Sequence, residues 1–231
     1  MISSTQLSDL FVEVADTLVD DFDLVLFLQR LTEHVAALGE ASTVGLMLAD
    51  HRNELRFMAA TNESGEILDL LQLQNVEGPC LECFLSGEPV INVDLDGSRD
   101  RWPTFAPVAL GLGFALANAF PMRLRDTVIG TINVFAGRDV SLRDDEARVI
   151  QGLADIATIA ILQERTIARA EALTEQLQSA LNSRIVIEQA KGALATTEGV
   201  SVDAAFELLR SRARANRQRL VDVAAEVLDQ G

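Results

Sequence analysis

The run "GFALANAFPMRLRDTVIGTINVFAG", residues 113–137, decides what kind of fold this chain has. Apolar and β-branched residues stand on both sides of Arg125-Asp126 and a glycine bounds each end, so the run reads as a β-hairpin turning at "RD". Upstream, "STVGLMLAD" and "ELRFMAAT" flank the polar turn "HRNE" as an earlier hairpin, and "PVINVDL" reads as a further strand. Helical spacing alternates with these strands. Leu7, Leu10, Phe11, Val14 and Leu18 share one helical face, and "DLVLFLQRLTEHVAALG" runs from a cap at Asp23 to Gly39. Helical turns are expected around Ile67–Leu73 and Cys80–Leu85, and a short helix within "WPTFAPVAL", before the glycine turn that leads into the hairpin. The class this predicts is α+β, an antiparallel sheet flanked by helices.

Downstream of the hairpin the texture changes. Ser141 and Asp144 suggest a capping box, and no proline follows, so one helix is expected from about Leu142 to Thr197, with a bend at Ser183. Its middle carries Ile167, Ala170, Leu173, Leu177, Ala180 and Leu181 as an apolar stripe among charges, the pattern of a dimerising coiled coil. The tail divides into three helical pieces. Ile187, Ala190 and Leu194 share a face in the first, Ala205, Phe206, Leu209 and Ala213 in the second, and Leu220, Val223, Ala224, Val227 and Leu228 in the third. "TEGVS", with Ser201 as cap, and "RANRQ" separate them.

Charge follows the same division. The chain of 231 residues has a formal net charge of −16, which excludes a protein that coats nucleic acid through a basic surface. Residues 1–183 hold 12 basic and 28 acidic side chains, whereas residues 184–231 hold 7 of each. Inside that neutral tail "RSRARANRQR", residues 210–219, has five arginines and no acid, and Lys191 is the only lysine of the chain. Any nucleic-acid contact is therefore local and belongs to the tail. The N-terminus lacks a basic segment followed by an apolar one, which predicts a cytoplasmic protein. Trp102 to Met122 is uncharged and of bilayer-spanning length, but prolines and glycines punctuate it, so no membrane partner is expected.

"SRIVIEQAKGALATTEGVSVDAAFELLRSRARANRQRLVDVAAEVLD" resembles the ANTAR domain, a three-helix RNA-binding module of bacterial transcription antiterminators; "GALA" stands where that family more often has a bulkier residue. "GPCLEC", "GEPVINVDL", "RWPTFA" and "PMRLRDTVIGTINVFAG" resemble pieces of the GAF domains joined to ANTAR tails in bacterial regulators. The resemblance implies a sensor at 1–165 with a sheet, helices on one side and a small-molecule pocket on the other, a helical coiled-coil linker at 166–183 and an ANTAR bundle at 184–231. It also implies leader RNA hairpins as partner and a homodimer joined through the linker helix. ANTAR tails often follow a receiver domain, which uses a lysine beside its acidic pocket; no lysine precedes residue 191 here.

Candidate contacts follow. Helical angles set Lys191 about 65° from the apolar face of its helix, exposed beside the core, where a mobile ammonium suits an RNA loop. The bland alternative is a surface ladder of Arg184, Glu188 and Lys191. Arg210, Arg214 and Arg217, at i, i+4 and i+7, form one stripe if the second helix continues that far, while Arg212 points elsewhere. In the sensor, Cys80 and Cys83 are the only cysteines: a redox pair with thiolates stabilised at a helix start, half of a metal site, or plain packing. His34 and His51 lie far off in sequence and no second cysteine pair exists, so a zinc site is not expected. Trp102, Phe114, Asn118 and Phe120 are candidates to line a ligand cavity, or else core. No catalytic signature such as GxxxxGK[ST], HExxH or GxSxG occurs, which predicts a non-enzyme; the residues do not name a cofactor. The rival is a thiol oxidoreductase, or redox sensor, using Cys80 and Cys83, resembling the free methionine sulfoxide reductases built on a GAF fold.

Overall fold

The computed structural model describes residues 12, 23–38 and 43–229. Of the first predicted helix, Leu7 to Leu18, all but residue 12 falls outside these. Helix α1 (Leu24–Leu38) starts where expected: the Asp23 carboxylate accepts the Val25 and Leu26 N–H groups at 2.9 and 3.1 Å, satisfying donors the first turn leaves without partners. Strands β1 (Thr43–Ala49) and β2 (Leu55–Ala60) form the first hairpin. Its turn is held by Asp50, whose carboxylate accepts the Arg52 and Glu54 N–H groups; the first of these bonds contributes most to lowering its pKa to about 2. Then come α2 (Glu63–Asn75), α3 (Pro79–Ser86), β3 (Val90–Asp94) and α4 (Phe105–Gly111). The decisive run forms β4 (Leu116–Leu124) and β5 (Thr127–Ala136), with Arg125 at φ 56° in the turn.

The five strands lie in the order β2-β1-β5-β4-β3, every neighbouring pair antiparallel. Alternation sends side chains to two packed layers. On one face Val44, Leu46, Leu48, Phe120, Met122, Ile132 and Val134 meet Phe27, Leu28, Leu31 and Val35 of α1. The same layer takes Ile150, Leu153, Ala154, Ala157 and Ile161 from α5 (Asp144–Glu198). These α5 positions recur every three or four residues, the stripe that turns toward a sheet, and each large side chain so buried stabilises by about 1.5–3 kcal/mol. The opposite face is covered by α2, α3 and α4, whose Leu68, Cys83, Phe105 and Ala109 pack on Ala117, Ala119 and Phe135. Helices thus cover both faces, where one had been expected.

Helix α5 begins later than the Ser141 capping box would place it. The cap position is Arg143, whose N–H donates to the Glu146 carboxylate in the first turn at 2.9 Å and whose guanidinium pairs with it at 2.6 Å. The helix continues through Ser183, whose hydroxyl donates to the Ser179 carbonyl at 2.8 Å instead of ending the helix. Residues 166–182 are all exposed, Leu173 and Leu177 among them.

The chain divides into two compact units, 1–164 and 165–231. In the second, the end of α5 packs with α6 (Val202–Asn216) and α7 (Leu220–Asp229) around Ala190, Leu194, Ala205, Leu209, Ala213, Val223 and Ala224. Alanines at the contacts let the three helices approach closely. Ser201 caps α6 as expected, its hydroxyl accepting the Ala204 N–H at 3.2 Å.

Candidate nucleic-acid interface

The C-terminal unit holds one lysine and one aromatic residue, and its fold brings them together. Lys191, on α5, places Nζ 5.1 Å from the centroid of the Phe206 ring on α6, and Arg210, one turn further along α6, lies over the same ring at 5.7 Å. Phe206 had been assigned to the core face; it is half-buried outside the buried cluster of the bundle, with two cations at its ring. Both cations also hold carboxylates. Lys191 Nζ donates to both Glu188 oxygens at 2.9 Å, and Arg210 donates to Glu207 at 2.9 Å.

This corrects the exposed, mobile lysine read from helical angles. The Lys191 side chain is 15% exposed, because Phe206 of the neighbouring helix covers a flank that angles on α5 alone leave open. The Glu188–Lys191 half of the expected ladder is present. Arg184 is exposed and has no ion pair among the described residues, because Glu188 turns to Lys191.

The arginine stripe stops short. Helix α6 ends at Asn216, and Arg217 is its C-cap at φ 54°, a left-handed conformation that turns the chain out of the helix. Arg210 and Arg214 stay on α6, whereas Arg217 leaves its face. Arg214 and Arg217 are exposed and, among the described residues, make no ion pair. Arg212 instead bridges to Glu198 at 3.4 Å, tying the end of α5 to α6. Arg219 donates twice to Asp222 at 2.8 and 2.7 Å; these bonds lower the Asp222 pKa and raise that of Arg219. Of the seven cations in residues 184–231, four are therefore neutralised locally, and Arg184, Arg214 and Arg217 stay open.

In the N-terminal unit the six candidate pocket residues fall on both faces of the sheet. Trp102 and Phe114 pack beneath α2–α4 with Phe105 and Phe135, at ring separations of 5.8–6.1 Å. Phe120 lies on the opposite face, where it lines a cleft of about 340 Å³ with Pro89, Ile91, Ala147, Arg148 and Gln151. Asn118 is a fastener: its Oδ1 accepts the Asn92 N–H at 2.7 Å and its Nδ2 donates to the Val134 carbonyl at 3.2 Å.

Cys80 and Cys83 sit one turn apart on α3, both buried with free thiols, and they pack in different clusters. Burial raises the Cys80 thiol pKa well above its ordinary value and that of Cys83 to about 12. The helix start does not stabilise a thiolate here, because desolvation outweighs it. No group of side chains suited to a metal ion occurs among the described residues.

The polar group that sequence reading missed is Asp69 on α2. It is fully buried against the sheet, and its Oδ1 accepts from Asn133 at 2.9 Å and Gln72 at 3.3 Å. Gln72 in turn accepts the Cys80 N–H at 2.9 Å. Among the described residues, Asp69 Oδ2, Asn133 Oδ1 and Thr131 Oγ1 have no hydrogen-bond partner. Burial raises the Asp69 pKa to about 8, so the carboxyl is mostly protonated at neutral pH. The space exists only because residue 45 is glycine: a Cβ there would lie 2.1 Å from Asp69 Oδ2.

Comparison with known proteins places both units. Solved structures share the fold at low identity. The GAF domain of an Acinetobacter phosphoenolpyruvate-protein phosphotransferase is 15% identical at a TM-score of 0.56, covering 72% of this chain and 98% of its own. A methyl-accepting chemotaxis protein is 20% identical at 0.52, over 67% and 98% of the two chains. The free methionine-R-sulfoxide reductase of Neisseria meningitidis is 16% identical at 0.53, over 72% and 96%. A search of curated proteins gave no match. Among the described residues no helix is long and apolar enough to cross a membrane. The GAF domain family matches residues 23–162, more than half of the chain, and the ANTAR domain family matches residues 175–228, both of them sensor or regulatory domains; the chain belongs to the GAF family and carries an ANTAR domain at its C-terminal end.

Proposed function

We propose that this chain is a signal-responsive transcription antiterminator that acts in the cytoplasm, binding hairpin-forming nascent leader RNA through its ANTAR domain under control of the GAF sensor. Functionally it divides into a sensor at 1–165, a linker at 166–183 and an RNA-binding tail at 184–231. One observation carries the reading: in an acidic chain, the only lysine converges with Arg210 on the tail's only aromatic ring. Arg184, Arg214 and Arg217 add open cations to the same unit. Cations beside an aromatic edge suit the phosphates and unstacked bases of a hairpin loop.

The sensor takes a small molecule, and its state reaches the tail through α5. Ile167, Leu173, Leu177 and Leu181 are exposed on that helix, and we assign them to the seam of a homodimer. RNA capture followed by sequencing tests the reading, comparing the native chain with Lys191→Ala. Enrichment of leader hairpins by the native chain and its loss in the variant are expected. Capture without enrichment, or equal capture by both, would sink it.

The thiol oxidoreductase reading draws on the fold shared with the Neisseria reductase, a likeness at 16% identity that speaks for the fold alone. Burial of both thiols weighs against it, and the tail would have no role. Replacing both cysteines with serine separates the two: RNA capture survives under our reading, whereas reductase activity would be present in the native chain and vanish under the other.

A further inference from the structure

We propose that Glu188 and Glu207 are specificity-determining residues of the tail, carboxylates that occupy phosphate positions and must be displaced when RNA binds. The proposal rests on the RNA-binding reading above and adds what it leaves open, namely how an acidic chain with few basic residues rejects unstructured RNA. Each carboxylate lies three residues before its cation on the same helix, Glu188 before Lys191 on α5 and Glu207 before Arg210 on α6. The fold brings the two pairs to one ring, so the surface around Phe206 holds two cations and two carboxylates and is neutral.

Exposure is inverted within the first pair. The Lys191 side chain is 15% exposed and that of Glu188 is 55% exposed, while Glu207 is 65% exposed. An approaching phosphate therefore meets carboxylate before it meets ammonium. Both Glu188 oxygens contact Lys191 Nζ at 2.9 Å, the distance at which phosphate oxygens would replace them. Phe206 keeps both cations in place when the carboxylates swing away, since its ring attracts a cation without neutralising its charge. Arg184, Arg214 and Arg217 carry no such carboxylate and are open to any strand. A flexible single strand gains at those arginines but repels the carboxylates. A folded loop that presents two phosphates at fixed spacing displaces both. Discrimination of this kind adds a repulsive element to the attractive one.

The test uses the full chain and its Glu188→Gln, Glu207→Gln and doubly substituted forms, with the RNA recovered by capture and poly(U) of equal length as probes. Glutamine keeps the shape and removes the charge, and circular dichroism confirms that the helices persist. Each substitution should tighten poly(U) binding about two- to fivefold, the range set by an exposed ion pair. The gain on the captured RNA should be smaller, so the ratio of the two affinities falls. Unchanged poly(U) affinity, an equal gain on both RNAs, or weaker binding of the captured RNA would overturn the proposal. If Lys191→Ala abolishes capture while the glutamine variants change nothing, only the carboxylate role fails. If the native chain captures no RNA, both readings fail together.

Discussion

Asp69 is the residue whose behaviour is most at odds with its sequence. "EILDLLQLQ" reads as an ordinary amphipathic helix, yet Asp69 and Gln72 face the sheet while Ile67 and Leu70 are exposed. The available signal was that inversion, together with the small residue Gly45 facing it; neither is visible until the strand is paired. A carboxyl whose pKa rises from 3.8 to about 8 on folding holds a proton that the unfolded chain releases. Its contribution to stability is therefore intact below about pH 4 and falls as pH rises toward 8, by on the order of 5 kcal/mol, then levels off. Urea midpoints at several pH values should show this decline, and Asp69→Asn should flatten it; a midpoint independent of pH between 5 and 8 would contradict the assignment. The cysteines give a second expectation. Buried thiols held protonated should resist iodoacetamide in the native chain at pH 8 and react only after unfolding, whereas rapid native alkylation would revive the redox reading.

Element by element, what alternation and capping control was legible. The two hairpins, the Asp23 and Ser201 caps and the three tail helices all follow from period, turn residues and N-cap chemistry. What failed depends on contacts between elements or on one backbone angle. The stripe Arg210, Arg214, Arg217 holds only if the helix continues to Arg217, and the left-handed Arg217 ends it. Lys191 looked open because its covering ring arrives from another helix. Arg217 holds a conformation that glycine adopts without strain, so Arg217→Gly should leave the tail as stable as before or raise its stability by up to about 1 kcal/mol. Thermal melting measures this. A clear loss of stability would mean that the Arg217 side chain is needed to close α6.

At the scale of the whole molecule, the charge divide read from sequence falls between the two domain families, an acidic GAF domain and a neutral ANTAR tail that pairs most of its cations internally. Leu173 is 56% exposed and Leu177 is 62% exposed, surface that a second chain would cover. Cysteine placed at either position, in a chain with Cys80 and Cys83 replaced by alanine, should give disulfide-linked dimers whose yield changes with sensor state. A chain that stays monomeric in sedimentation would remove the seam. The far edge of the sheet bears on how such a dimer can form. In β3, Asn92 stands at φ 50° within a break of register, and its side chain is fastened to both backbone groups of Leu142 at 2.8 and 2.9 Å. That edge offers no regular row of donors and acceptors to a strand from another molecule, so it resists the edge-to-edge stacking that seeds aggregates. Self-association of this chain is thereby steered away from extending the sheet at β3.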